Sequence, residues 1–138
     1  MIIERVRTRL PALALASVSI LSIAVYPVRA DEDVGKEVGT AATHAGFAAA
    51  AKDMQTTQMH LHHVVNCLVG PKGEGFDTSV ANPCKDQGSG AIPDTKDAAK
   101  LTMLRQGLAK ANAGLKETDM AAAQKDATAA QDMIKMGM

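Results

Sequence analysis

The sequence predicts an all-α protein, a small helical bundle in which a long N-terminal helix packs against a C-terminal antiparallel helical hairpin. Apolar residues recur at spacings of three and four over most of residues 31–136, which is the period of an α-helix. A glycine- and proline-rich loop, residues 70–93, separates two such regions. Two cysteines, Cys67 and Cys84, can staple that loop to the first region through a disulfide.

The first 30 residues have the layout of a secretory signal peptide. Three arginines precede an apolar run over residues 12–25, and Val28 and Ala30 put small residues at positions −3 and −1 of a cleavage point. The run is shorter than the roughly 20 residues that a membrane-spanning helix needs. We expect cleavage before Asp31, a periplasmic or secreted protein, and no membrane attachment afterwards. The alternative is an uncleaved N-terminal anchor.

Charge and aromatic content exclude one class of partner. The whole chain has 15 basic and 15 acidic residues, but residues 1–30 hold four of the basic and one of the acidic groups. The predicted domain, residues 31–138, therefore has a net charge of −3 and only two aromatic residues, Phe47 and Phe76. Nucleic-acid binders need basic surfaces and often aromatic stacking platforms. We expect no nucleic-acid partner.

Residues 31–69 contain no proline and predict the long helix of the bundle. Gly70 and Pro71 end it, since glycine suits the cap that follows a helix and proline cannot continue the helix. The apolar stripe changes phase near Gly46. This leaves two interpretations, a continuous helix whose buried face turns or a break at Gly46.

The hairpin consists of two predicted helices, residues 94–114 and 118–136. Asp94 or the threonine after it can cap the first helix, and Asp119 or the threonine before it can cap the second. The short connection between them favours an antiparallel arrangement. Their stripes are mostly alanine and leucine, so the core is thin and gains from a disulfide, a ligand or a partner.

The two cysteines allow two interpretations. In an exported chain an even count indicates a disulfide, whereas two cysteines with two histidines could instead bind zinc. Export favours the disulfide Cys67–Cys84, which would stabilise the fold by roughly 3 kcal/mol. It would also order a loop that is long for a compact domain.

The densest chemistry lies just before Cys67. On a helix, His60 and His63 share one flank with Cys67 and can chelate one ion, whereas His62 points to the other flank. The disulfide would lay the loop over the two imidazoles, where Asp77, Asp86 or main-chain carbonyls could act as further ligands. His60 and His63 are the first candidate metal ligands, and His62 is a second-rank candidate.

Methionines extend the candidate site. Met136 and Met138 lie at the C-terminus, and thioethers favour cuprous copper, whereas imidazoles also suit divalent metals. They could reach the histidines if the last helix runs parallel to the first. His44 shares a face with His62 but lies about 27 Å from it along a straight helix. A joint site with His44 is expected only if the helix breaks at Gly46.

The sequence therefore predicts a small exported metal-binding protein, with copper favoured, for storage, delivery or sensing. No catalytic motif is present, so we expect no enzyme. One alternative is a structural or interaction module without a ligand, completed by self-association or by an envelope protein, in which the histidines only complement the helix dipole. Another is a non-covalent haem binder, since no Cys-x-x-Cys-His motif is present for covalent attachment.

Overall fold

The structure is a computed structural model and describes residues 34–138, so the predicted signal peptide lies outside the described residues. The described part of the chain is all-helical and contains no strand, which confirms the predicted fold class. No helix in residues 34–138 is both long enough and apolar enough to cross a membrane. The five helices are α1 (Val34–Ala50), α2 (Met54–Val69), α3 (Ala91–Asp94), α4 (Ala98–Gly114) and α5 (Met120–Met136).

The segment predicted as one long helix, residues 31–69, contains two helices, and the break lies at residues 51–53 rather than at Gly46. Asp53 causes the break by capping α2. Its carboxylate accepts hydrogen bonds from the backbone N–H of Thr56 at 2.7 Å and from the Thr56 hydroxyl at 2.9 Å. An aspartate in this position satisfies donors that a new helix leaves open. The chain reverses here, and α2 runs back along α1.

The order of the long helices is up, down, up and down. Helix α5 lies antiparallel to α1, and two glutamines join them. Gln124 Nε2 donates to the carbonyl of Ala51 at 2.7 Å, and Gln131 Nε2 donates to the carbonyl of Ala42 at 3.1 Å. Helices α4 and α5 form the predicted antiparallel hairpin. Asp119 caps α5 by accepting from the backbone N–H of Ala122 at 2.9 Å.

Small residues fill much of the core, as the alanine stripes predict. Gly107 lets α4 approach α5, because a Cβ there would lie 2.7 Å from Ile134 Cγ1. Only a few large apolar side chains are fully buried, so each one contributes a large share of the core. The completely buried alanines are Ala41, Ala45, Ala48, Ala91, Ala111, Ala123, Ala127 and Ala130. The largest fully buried apolar side chains are Leu61, Leu68, Leu104 and Ile134.

The glycine- and proline-rich loop is held to the bundle at several points. The predicted Cys67–Cys84 disulfide is present, with a Cα–Cα distance of 5.2 Å. Asn66 exchanges two hydrogen bonds with the backbone of Asp77, at 2.9 and 2.8 Å. The buried Glu37 accepts from the backbone N–H of Gly90 at 2.9 Å. The loop therefore has a fixed position against α1 and α2.

The start of the hairpin differs from the sequence prediction. The short helix α3 occupies residues 91–94, and α4 begins at Ala98 rather than at residue 94. Asp97 is the cap of α4, since its carboxylate accepts from the backbone N–H groups of Ala99 and Lys100, both at 2.9 Å. Asp94 is instead the last residue of α3, where its carboxylate accepts from the backbone N–H of Ser89 in the loop.

Candidate metal centre

Three histidines from two helices meet on one side of the bundle. His44 lies on α1, and His60 and His63 lie on α2. His44 Nδ1 is 3.1 Å from His60 Nδ1 and 3.3 Å from His63 Nδ1. One ring nitrogen from each of the three residues lies within 4.8 Å of the others. We call these three residues the histidine cluster.

The turn between α1 and α2 creates the cluster. His44 precedes the middle of the turn, residue 52, by eight residues, and His60 follows it by eight. In an antiparallel helical pair, residues equally far from the turn lie at the same height. His63 is almost one helical turn further along α2 and therefore points to the same side as His60. The two helices thus present three imidazoles to one point.

Burial keeps the cluster in its neutral form. The pKa of His44 is lowered to about 4, mainly by desolvation and in addition by charge repulsion from the neighbouring His63 and His60. Desolvation is also the main cause that lowers the pKa values of His60 and His63. Neutral imidazole is the form that binds a metal ion. Near neutral pH, protons therefore compete weakly with a metal for these nitrogens.

Phe47 forms an aromatic wall beside the cluster. Its ring lies 5.6 Å from the His44 ring and 5.4 Å from the His60 ring, measured between centroids. Half of the Phe47 side chain is exposed, and His44 and His60 are partly exposed, whereas His63 is buried. The cluster therefore has a buried base at His63 and an accessible side near Phe47.

Hydrogen bonds alone do not give each of the three ring nitrogens in the cluster a well-directed partner. His44 Nδ1 faces two nitrogens, but one ring nitrogen has either one proton or one lone pair. It can form one well-directed hydrogen bond, and the second contact must share the same proton or lone pair. A cation bound to the lone pairs of all three rings would satisfy all three nitrogens together.

The spacing of the nitrogens suits a compact coordination shell. Metal–nitrogen bonds to histidine are about 2.0–2.1 Å long. If an ion lay at that distance from both nitrogens of a close pair, the N–ion–N angle would be about 98° for the separation of 3.1 Å and about 107° for 3.3 Å. These angles fit tetrahedral or five-coordinate centres. A linear two-coordinate ion would need nitrogens about 4 Å apart.

The structure brings together two of the three histidines predicted as ligands and separates the third. His60 and His63 are in the cluster. His62 lies on the opposite flank of α2, where its Nδ1 is 3.1 Å from the Asp77 carboxylate. The loop therefore does not supply Asp77 to the histidine cluster. The loop lies towards the His62 and Asn66 flank of α2, because the Asn66 side chain forms two hydrogen bonds with the backbone of Asp77.

The C-terminal methionines are exposed at the end of α5. The methyl carbon of Met138 lies 4.0 Å from the position that a Cβ would have on Gly39 of α1. Gly39 and His44 are five residues apart, which places them about 140° apart around the helix. This placement does not favour Met138 as a ligand of the cluster. That Met136 or Met138 binds metal stays a prediction.

The sequence predicts a joint site with His44 only for a helix that breaks at Gly46, whereas the helix in the structure breaks at residues 51–53. The signal for the true break was the spacing of Asp53 and Thr56, which is that of a helix N-cap and the residue whose N–H it accepts. A turn at that position brings His44 opposite His60. Comparison with known protein families, curated proteins and solved structures finds no match to this chain.

Proposed function

We propose that this chain is an exported protein that binds one transition-metal ion through His44, His60 and His63. The observation that supports this best is the approach of three neutral ring nitrogens to one point, with Nδ1–Nδ1 distances of 3.1 and 3.3 Å. The signal-peptide pattern of residues 1–30 and the disulfide both agree with an oxidising compartment outside the cytoplasm.

Copper is the favoured metal within this proposal. Divalent copper has the highest affinity for nitrogen sites among the first-row divalent ions, and imidazole suits it. The nitrogen separations of 3.1 and 3.3 Å are shorter than the about 4 Å that a linear cuprous ion would need, which supports a divalent ion. Zinc fits the same geometry and is the main competitor. Three protein ligands and an accessible side leave a position for a solvent molecule or a ligand from another protein.

The number of sites bears on the biological role. Residues 34–138 contain one group of three histidine, cysteine or acidic residues that could hold an ion. A protein that stores metal gains from many sites in one chain, whereas delivery and sensing need only one. We therefore favour a binding role in delivery or sensing over storage, and over catalysis.

Metal titration with single-histidine variants tests the proposal. Purified protein is dialysed against Cu(II), Zn(II) or Ni(II), and bound metal is measured by elemental analysis. We expect about one equivalent for the wild type and at least about a tenfold loss of affinity in His44→Ala, His60→Ala and His63→Ala, as each removes one of three ligands.

His62→Ala is the matched control. It removes a histidine from the same helix but from the opposite flank, so affinity should stay within about twofold. Less than about 0.1 equivalent of every metal, or an equal loss in the His62 and His44 variants, would contradict the proposal. Export is tested separately by mass spectrometry of the mature protein, which should begin at Asp31.

A further inference from the structure

A second concave site lies away from the histidine cluster, between the end of α2, the glycine- and proline-rich loop, and α4. It is a cavity of about 880 Å³. Ligand pockets in proteins usually measure about 300–1,000 Å³ and have mainly apolar walls. Here the apolar lining comes from Val69 on α2, Pro71 and Ile92 near the two ends of the loop, and Leu108 on α4.

The cavity leaves apolar side chains partly exposed to solvent. Large apolar side chains are few in the core, yet Ile92 and Leu108 line the cavity and are only partly buried. Covering apolar area is favourable in proportion to the area removed from water. A ligand with an apolar body would therefore gain affinity from these two side chains.

The walls of the cavity are fixed before any ligand arrives. The Cys67–Cys84 disulfide and the paired hydrogen bonds between Asn66 and Asp77 hold the loop to α2. The hydrogen bond from Gly90 to the buried Glu37 holds its far end to α1. A preformed pocket binds more tightly because little conformational entropy is lost on binding.

The charged groups that line the cavity are positive on balance. Arg105 of α4 and Lys72 of the loop both line it, and within residues 34–138 neither forms an ion pair or a side-chain hydrogen bond. Glu74 is the one acidic group among the described residues that line the cavity. The planar guanidinium of Arg105 matches the two oxygens of a carboxylate.

We infer that this cavity binds a small amphipathic carboxylate, with its apolar body between Ile92 and Leu108 and its carboxylate at Arg105 and Lys72. The inference does not depend on metal binding, because the cavity is lined by none of the three histidines. The matching probes are octanoate and its uncharged analogue octan-1-ol.

Isothermal titration of metal-free protein tests the inference. One octanoate should bind per chain with a dissociation constant of about 100 µM, as expected for a ligand of about ten heavy atoms in a good pocket. Octan-1-ol should bind about tenfold more weakly, since it lacks the charge-assisted bond. Arg105→Gln should weaken octanoate about tenfold and leave octan-1-ol within about twofold.

Lys100→Gln is the control, because it removes a charge from the same helix at a residue that does not line the cavity. It should leave both affinities within about twofold. If Arg105→Gln loses its helical circular dichroism, Lys72→Gln on the exposed loop gives the same comparison with a several-fold loss. No saturable octanoate binding up to about 5 mM, equal affinity for octan-1-ol, or equal effects of Arg105→Gln and Lys100→Gln would overturn the inference.

Discussion

Lowering the pH should destabilise the metal-free protein through the histidine cluster. The pKa of His44 is about 4 in the fold and 6.5 in an unfolded chain. Below pH 6.5 the unfolded chain therefore holds a proton on His44 that the folded protein does not accept until about pH 4. The free energy of unfolding must fall as the pH decreases across this window. The lowered pKa values of His60 and His63 act in the same direction.

The size of the effect follows from the two pKa values of His44. At pH 5.0 the difference corresponds to about 2 kcal/mol, and the partial exposure of the ring reduces this to about 1 kcal/mol. Asp53 and Asp77 contribute little in this window. Hydrogen bonds from Thr56 and Ser79 respectively lower their carboxyl pKa values, so their contributions are lost only at more acidic pH.

Urea unfolding in the presence of a chelator measures the effect. The free energy of unfolding of the wild type should fall by about 1–2 kcal/mol between pH 7.5 and pH 5.0. His44→Gln should remove at least half of this fall, and His62→Gln should keep most of it, since His62 is only the smallest cause of the lowered pKa of His63. The reasoning is refuted if wild-type stability does not change over this range, or if His44→Gln is as sensitive to pH as the wild type.

Other features of the fold give predictions of comparable size. Replacing both Cys67 and Cys84 by serine should lower the free energy of unfolding by about 3 kcal/mol, because the bridge closes a loop of 17 positions, and a change in the urea midpoint worth less than about 1 kcal/mol would contradict this. Ile134→Ala should cost about 3 kcal/mol in thermal unfolding, since this completely buried side chain has few large neighbours to fill the space. Asp119→Ala should cost about 1 kcal/mol by removing the cap of α5 without changing metal affinity. Asp53→Ala should lower both stability and metal affinity, because the cap of α2 sets the turn that brings the ligands together, and an unchanged affinity in a metal titration would show that the turn does not depend on this cap.

The helical content could be predicted because it is a local property of the sequence, and the disulfide because the chain has only two cysteines. The stripe from Ala123 to Ile134 has the helical period, and Asp119 stands directly before it in a capping position. The position of the first break could not be predicted from periodicity. Alanine, lysine and aspartate at residues 51–53 include no glycine or proline, so no strong helix breaker marks the turn.

One of the three histidines of the cluster depends on that break. The pair His60 and His63 follows from their spacing on a single helix, which needs no tertiary information. His44 joins them only when the chain reverses at residues 51–53, so its role is a consequence of tertiary structure. His62 stands between His60 and His63 in sequence, yet it contacts Asp77 of the loop because successive residues on a helix point about 100° apart.

The hydrogen bonds of Gln124 and Gln131 fix how α5 is aligned along α1, which the alanine packing between the two helices does not fix. Facing rows of alanine are smooth, so two such helices could slide along each other by one turn with little change in buried area. Gln131 donates to the carbonyl of Ala42 on α1 and Gln124 to that of Ala51 directly after it, and a slide of about 5 Å would break both bonds. The two hydrogen bonds therefore select one alignment of α5 along α1 from several of similar packing energy. Substituting both should therefore broaden the ensemble of helix alignments more than it lowers the helical content.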